Sequence, residues 1–218
     1  MKKIPTLFKR VFSEDHKTKT ITSEITPGCE VVLKGECVPT IKYDGAACAV
    51  INGEIYKRYD AKQKYGKKPP EGAIPCQPEP DPVTGHWPHW VKCEKDNPAD
   101  KYFLEAYANT LVVRNFQRKY VVEKLDDGTY EACGPAWQSN PHGYKWNCLV
   151  RHGEDKLSES DILQCLKGAT PEEAMALLRF FFRLHVMEGI VFWHNGEPLC
   201  KIKRSDFGLP WPIKKGTA

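Results

Sequence analysis

The stretch Lys42–Arg58, KYDGAACAVINGEIYKR, reads as a β-hairpin with a charged entrance. Asn52-Gly53 is a strong two-residue hairpin signal, because both residues tolerate the positive φ that such turns require. It predicts that residues 46–51 pair with 54–59. Lys42, Asp44 and Gly45 stand just before the first strand, and Arg58 and Asp60 stand near the end of the second. Two further turn signals predict two more hairpins. Asp126-Asp127-Gly128 would join 120–125 to 129–133, and Asn195-Gly196 would join 189–194 to 198–203.

Helical signals are fewer. Thr170 is an N-cap residue, Pro171 suits the first helical position, and Glu172 and Glu173 favour the positive end of the dipole. This helix is predicted to run to about His185 and to bury Ala174, Leu177, Leu178, Phe181 and Leu184. A shorter helix is predicted from Glu159 to Lys167, ended by Gly168. From Pro98 to Arg118 helix and strand compete, because Val112 and Val113 are β-branched. Between Lys62 and Asn97 the composition turns to lysine, proline, glycine and tryptophan, which predicts a long loop with little regular structure.

With 218 residues, 41% hydrophobic and 28% charged, the chain has enough apolar material for one sizeable core, and we expect a single domain over residues 1–218. The formal charge of +4 permits a nucleic-acid partner without requiring one. No apolar run approaches membrane-spanning length, and Lys9 and Arg10 interrupt the opening residues before a signal-peptide core can form. The nine cysteines include no CxxC pair, so zinc is not expected, and reduced thiols in a cytoplasmic monomer are.

Five groups of residues follow one another in order. They are Lys42 to Gly45; Arg58 with Asp60; Tyr130 to Gly134, containing Glu131; Glu188-Gly189 at the start of the third hairpin; and Lys201-Ile202-Lys203 at its end. A lysine becomes a nucleophile only as the neutral amine, which burial and neighbouring cations promote. Strand alternation puts Lys201 and Lys203 on one face and Ile202 on the other. Two cations on one face would support Lys42 as a nucleophile and bind phosphate, and Glu188 would suit a hydrated magnesium ion.

This order resembles the covalent nucleotidyltransferases, the superfamily of ATP-dependent DNA and RNA ligases and mRNA capping enzymes. A narrower likeness, from about residue 36 onward, is to the vertebrate-type 5′-3′ RNA ligases. It is carried by Glu188 to Val191, Trp193-His194, Lys201 to Arg204 and Leu209 to Ile213, with Asn140-Pro141-His142-Gly143 and the Gly85 to Trp90 stretch. The resemblance implies an α+β nucleotidyltransferase (adenylation) domain with antiparallel sheets and flanking helices; DNA ligases and capping enzymes add a C-terminal OB domain, but with 15 residues after Lys203 no OB or other C-terminal domain is expected here. It implies that Lys42 attacks the α-phosphorus of ATP to form lysyl-AMP, with magnesium or manganese held by Glu188 and Asp44. Lys201 and Lys203 would act in catalysis. The nucleotide would be bound by Lys42, Asp44, Gly45, Arg58, Glu131, His152, Glu188, Lys201 and Lys203, with Glu131 accepting from the ribose hydroxyls and His152 in the region that stacks on adenine. The adenylate would pass to a 5′-phosphate RNA end, and a 3′-hydroxyl would displace AMP.

Each feature has a plainer reading. Lys42 and Asp44 could form a solvated surface pair. The lysines around Tyr65 (Lys62, Lys64, Lys67 and Lys68) could contact RNA phosphates or simply be solvated, and Trp87 and Trp90 could stack bases or pack the loop. A DNA ligase, another polynucleotide adenylyltransferase, a GTP-using relative and a catalytically inactive nucleic-acid-binding module are the alternatives.

Overall fold

Strand outweighs helix, 35% against 20%, in a computed structural model describing residues 1–12, 14, 19–62, 66–82, 85–116, 119–157 and 162–213. The expected α+β nucleotidyltransferase domain with helix-flanked sheets is therefore corrected to a sheet-rich architecture. Every pairing between its strands is antiparallel. The physical reason lies in β-branched and aromatic stretches: Val112–Phe116, where helix and strand compete in the sequence, and His86–Lys92, where a loop is expected, both form strands.

The chain divides into two units, one of Met1–Lys3 and Asp44–His152, the other of Ile4–Tyr43 and Gly153–Ala218. In chain order the strands are β1 Phe8–Phe12, β2 Lys19–Ile25, β3 Val38–Lys42, β4 Ala46–Ile51, β5 Glu54–Lys62, β6 Ile74–Pro75, β7 His86–Lys92, β8 Val112–Phe116, β9 Lys119–Glu123, β10 Gly128–Cys133, β11 Cys148–Arg151, β12 Gly189–His194 and β13 Glu197–Lys203. The helices are α1 Lys101–Thr110, α2 Leu163–Leu166 and α3 Pro171–Leu184. Among the described residues no helix is long and apolar enough to cross a membrane.

The first unit is built on a six-stranded sheet, β11-β10-β4-β5-β7-β6. The β4–β5 turn has Asn52 at φ 54° and Gly53 at φ 73°, as the hairpin reading requires. The hairpin expected at Asp126–Gly128 does not form. β9 pairs with β8, and β10 pairs with β4 and β11. Asp127 is engaged elsewhere, accepting from the backbone N–H groups of Asn52 (2.8 Å) and Gly53 (3.3 Å) in the neighbouring turn. The proline-rich segment also departs from the expected loop. His86–Lys92 pairs with β5 from Lys92 opposite Tyr56 to His86 opposite Lys62, and Trp90 is buried. Cys48, Val50, Ile55, Tyr130, Ala132 and Leu149 form this unit's core, with Phe103, Leu104 and Tyr107 of α1 packed against it.

The second unit holds the three-stranded sheet β13-β12-β3 and the β1–β2 ribbon. Its core joins Ile190, Phe192, Cys200 and Ile202 of the sheet to Leu166, Leu178 and Phe182 of the helices. Helix α3 starts with a capping box: the Thr170 hydroxyl accepts from Glu173 N–H, and the Glu173 carboxylate accepts from Thr170 N–H. Buried Arg204 donates to the carbonyls of Phe182 and His185 at its other end. Ala174, Leu178, Phe181 and Phe182 face the core, but Leu184 is 63% exposed, contrary to the sequence reading. The arc shared by residues 174, 178, 181 and 182 excludes position 184. The shorter helix is described only from Leu163, and its expected start at Glu159, like Lys64, Tyr65 and Arg118, lies outside the described residues.

Candidate functional site

In the second unit, pairing register groups three of the charged residues. Gly189 at the head of β12 lies opposite Lys42 of β3 on one side and Lys203 of β13 on the other. Residues directly opposite in antiparallel strands share a face, so the two lysines flank a glycine that fills none of the space between them. Glu188, one residue earlier and 4% exposed at its side chain, fills that space. Its Oε2 accepts from Lys42 Nζ and its Oε1 from Lys203 Nζ, each at 2.5 Å. Lys42 Nζ also donates to its neighbour's carbonyl, Tyr43 O, at 3.1 Å.

Alternation along β13 buries Cys200 and Ile202 and leaves Lys201 and Lys203 half-buried on the other face. Lys201 lies opposite Val191, and its backbone is tied at both ends, donating to Pro5 O and accepting from Leu7 N–H. Lys203 is fixed by its own main chain, whose N–H donates to buried Asp206 at 2.9 Å. Asp206 in turn takes a 2.6 Å hydrogen bond from Arg10. Tyr43 donates its hydroxyl to Asp155 at 2.8 Å.

In the first unit the Asp44-Gly45 turn is held by two side chains. Asp44 N–H donates to His142 Nε2 (2.9 Å), and Gly45 N–H donates to Glu131 Oε1 (3.1 Å). A Cβ on Gly45 would lie 2.1 Å from the carbonyl oxygen of Ala132, so only glycine permits this approach. Glu131 projects from β10, between Ala47 of β4 and Val150 of β11. Its other oxygen contacts His152 Nε2 at 3.0 Å, and His152 Nδ1 contacts the Thr129 hydroxyl at 3.1 Å. Both ring nitrogens are thus engaged, while the ring face is not used by these bonds. Arg58, on β5 opposite Trp90, donates to Asp60 through Nε and Nη2 at 3.3 and 3.2 Å.

Three sequence-selected residues of the second unit, Lys42, Glu188 and Lys203, are therefore in direct contact. Glu131, His152 and Gly45 form a second hydrogen-bonded group in the first unit, and Arg58 pairs with Asp60 instead of joining either. Among the described residues no group of three or more metal-ligating side chains occurs. Cys48, beneath this second group, is no alternative nucleophile: burial, then the charge of Glu131, pushes its thiol well above the ordinary range. Roles were missed for His142, Thr129 and Asp206. Only His142 carried a signal, as part of Asn140–Gly143, where Gln138, Ser139 and Asn140 all adopt positive φ and Asn140 bonds both to Tyr144 N–H and to Tyr144 O. Neither a protein-family model nor a curated protein matches the chain.

Proposed function

We propose that the protein is an ATP-dependent RNA ligase of the cytosol that works through a lysyl-AMP intermediate. The observation that supports the reading best is the Lys42–Glu188–Lys203 contact, in which one buried carboxylate carries two amines on a shared sheet face. In the first step the Lys42 amine attacks the α-phosphorus of ATP. An N–P bond forms and the P–O bond to pyrophosphate breaks. Lys42 must lose a proton to attack, and Glu188 Oε2 at 2.5 Å is the acceptor in reach. The charge of Lys203, no longer balanced by Glu188, then faces the phosphates.

Glu131, positioned by His152, has lone pairs left for a ribose hydroxyl. Magnesium or manganese would arrive with the triphosphate and neutralise its charge. Such an ion keeps most of its ligands from water and phosphate and so asks little of the protein. The adenylate then moves to the 5′-phosphate of an RNA end, and a 3′-hydroxyl displaces AMP.

A purely structural reading has one observation in its favour. Both oxygens of Glu188 are already paired, as in an ion-pair staple between three strands. Incubation with α-labelled ATP and magnesium separates the two. The ligase reading expects a covalent adenylate on the wild-type chain and none on Lys42→Ala or Lys42→Arg; an unlabelled wild-type protein would refute it. Label taken preferentially from GTP would reassign the nucleotide. Supplying nicked RNA and nicked DNA in parallel then tests the acceptor, with sealing of the RNA expected.

A further inference from the structure

Helix α3 carries a stripe that its own fold leaves uncovered. Ala174, Leu178, Phe181 and Phe182 take the core side, and the opposite arc presents Glu173, Ala176, Phe180 and Arg183, all exposed. Their spacing of three, four and three residues keeps them in one line along the helix. Phe180 is 60% exposed, and Leu184 (63%) and Val186 (71%) extend the apolar surface beyond it. Scattered apolar residues on a surface are ordinary, but three large ones exposed within seven residues of one helix end are a candidate contact site.

We propose that this face pairs with the same face of a second copy of the chain, as an isologous two-fold dimer. The order of the stripe selects that occupant: acidic, small, large, basic. Turned end for end about an axis near position 178, it is its own complement, with Glu173 meeting the partner's Arg183 and Ala176 meeting the partner's Phe180. Each contact occurs twice, as two-fold symmetry demands. A concavity of about 630 Å³ beside Ala176, lined by Gly168, Ala169 and Leu177, receives the phenyl ring. An acidic peptide would satisfy Arg179 and Arg183 but would meet Glu173 in the same line, so the second copy fits better. At about 1.5 Å per residue α3 is about 21 Å long. A pair of such helices buries less than the ~800 Å² per partner of a standard interface. The dimer is therefore expected to be weak and concentration-dependent.

Sedimentation velocity on the full chain from about 1 to about 300 µM tests the assignment. The mass is expected to rise from 24.8 kDa towards twice that value. Phe180→Asp holds the monomer at every concentration while its far-UV circular dichroism stays that of the wild type. Arg183→Glu sets like charges opposite each other and weakens association at least tenfold, a loss of ~1.4 kcal/mol. Adding Glu173→Lys to Arg183→Glu reverses the stripe without spoiling its symmetry and restores association, judged against Glu173→Lys alone because Glu173 also caps α3. A wild-type monomer up to the highest concentration, or a dimer that survives Phe180→Asp, would overturn the proposal. So would a monomer that binds an acidic helical peptide through Phe180.

Discussion

Gly189 lies so close to Ile202 that a Cβ on the glycine would stand 2.4 Å from the Ile202 carbonyl oxygen. Backbone on an adjacent strand cannot rotate away as a side-chain tip can. Any larger residue must push β13 from β12, and β13 carries Lys203. Gly189→Ala is accordingly expected to cost about 1–3 kcal/mol of unfolding free energy. It should also loosen the Lys203–Glu188 contact, which on the proposed ligase reading lowers the self-adenylation rate more than the occupancy of ATP. Denaturant unfolding and single-turnover labelling of this variant check both effects, and wild-type stability would contradict the close approach.

Glu188→Gln keeps the shape of the side chain and removes the charge that Lys42 and Lys203 share. Breaking a fully buried pair costs about 3–5 kcal/mol, but both lysines retain solvent contact, so the loss expected here is smaller, about 1–3 kcal/mol. Lys42→Met is expected to cost less in the Glu188→Gln background than in the wild type, because its partner charge is already gone. A double-mutant cycle by urea denaturation measures that coupling, and strict additivity would contradict it.

His152→Phe separates the ring face from the ring edge. The substitution retains a flat aromatic surface and deletes the hydrogen bonds to Thr129 and Glu131. On the proposed ligase reading we expect nucleotide affinity to fall by about five- to tenfold, near 1–1.4 kcal/mol, because Glu131 loses the group that orients it. Titration with ATP by calorimetry reads the change directly. Undiminished affinity would make stacking, and not orientation, the contribution of this ring.

The features legible in the sequence are those set by local chemistry. Asn52-Gly53 and Asn195-Gly196 form their turns because positive φ is tolerated there, and Thr170, Pro171 and Glu173 start α3 as a capping box should. Lys203 was legible as a neighbour of Gly189 through the hairpin that Glu188-Gly189 opens. Long-range pairing was not legible. Asp126-Asp127-Gly128 has the composition of a hairpin turn, yet the Asp127 carboxylate is spent on the backbone of another turn. Pro88 and the proline- and lysine-rich composition of residues 62–97 disguised β7, whose strand is made by seven residues of register with β5. Leu184 has core chemistry but sits on the wrong arc of its helix. Two antiparallel residues far apart in sequence, such as Lys42 and Gly189, share no local signal that a reader of composition or periodicity can detect.

Stability at high pH follows from the buried thiols. Burial pushes Cys37 up from the ordinary 9.0 to about 11, and Cys93 to about 12 with help from the nearby Asp100 charge. Because the folded values are raised, the stabilisation is complete below pH 9, where the thiols are protonated in both states. It is lost as pH rises from 9 through 11 for Cys37 and through 12 for Cys93, since the unfolded chain releases the proton first. Each thiol steepens the decline by at most ~1.4 kcal/mol per pH unit. Urea denaturation in reducing buffer between pH 8 and pH 11 should therefore show a shallower decline for Cys37→Ala and Cys93→Ala than for the wild type. The lysines and tyrosines that also titrate in this range are common to all three chains and cancel in the comparison. Parallel curves would mean that neither thiol is held protonated by the fold.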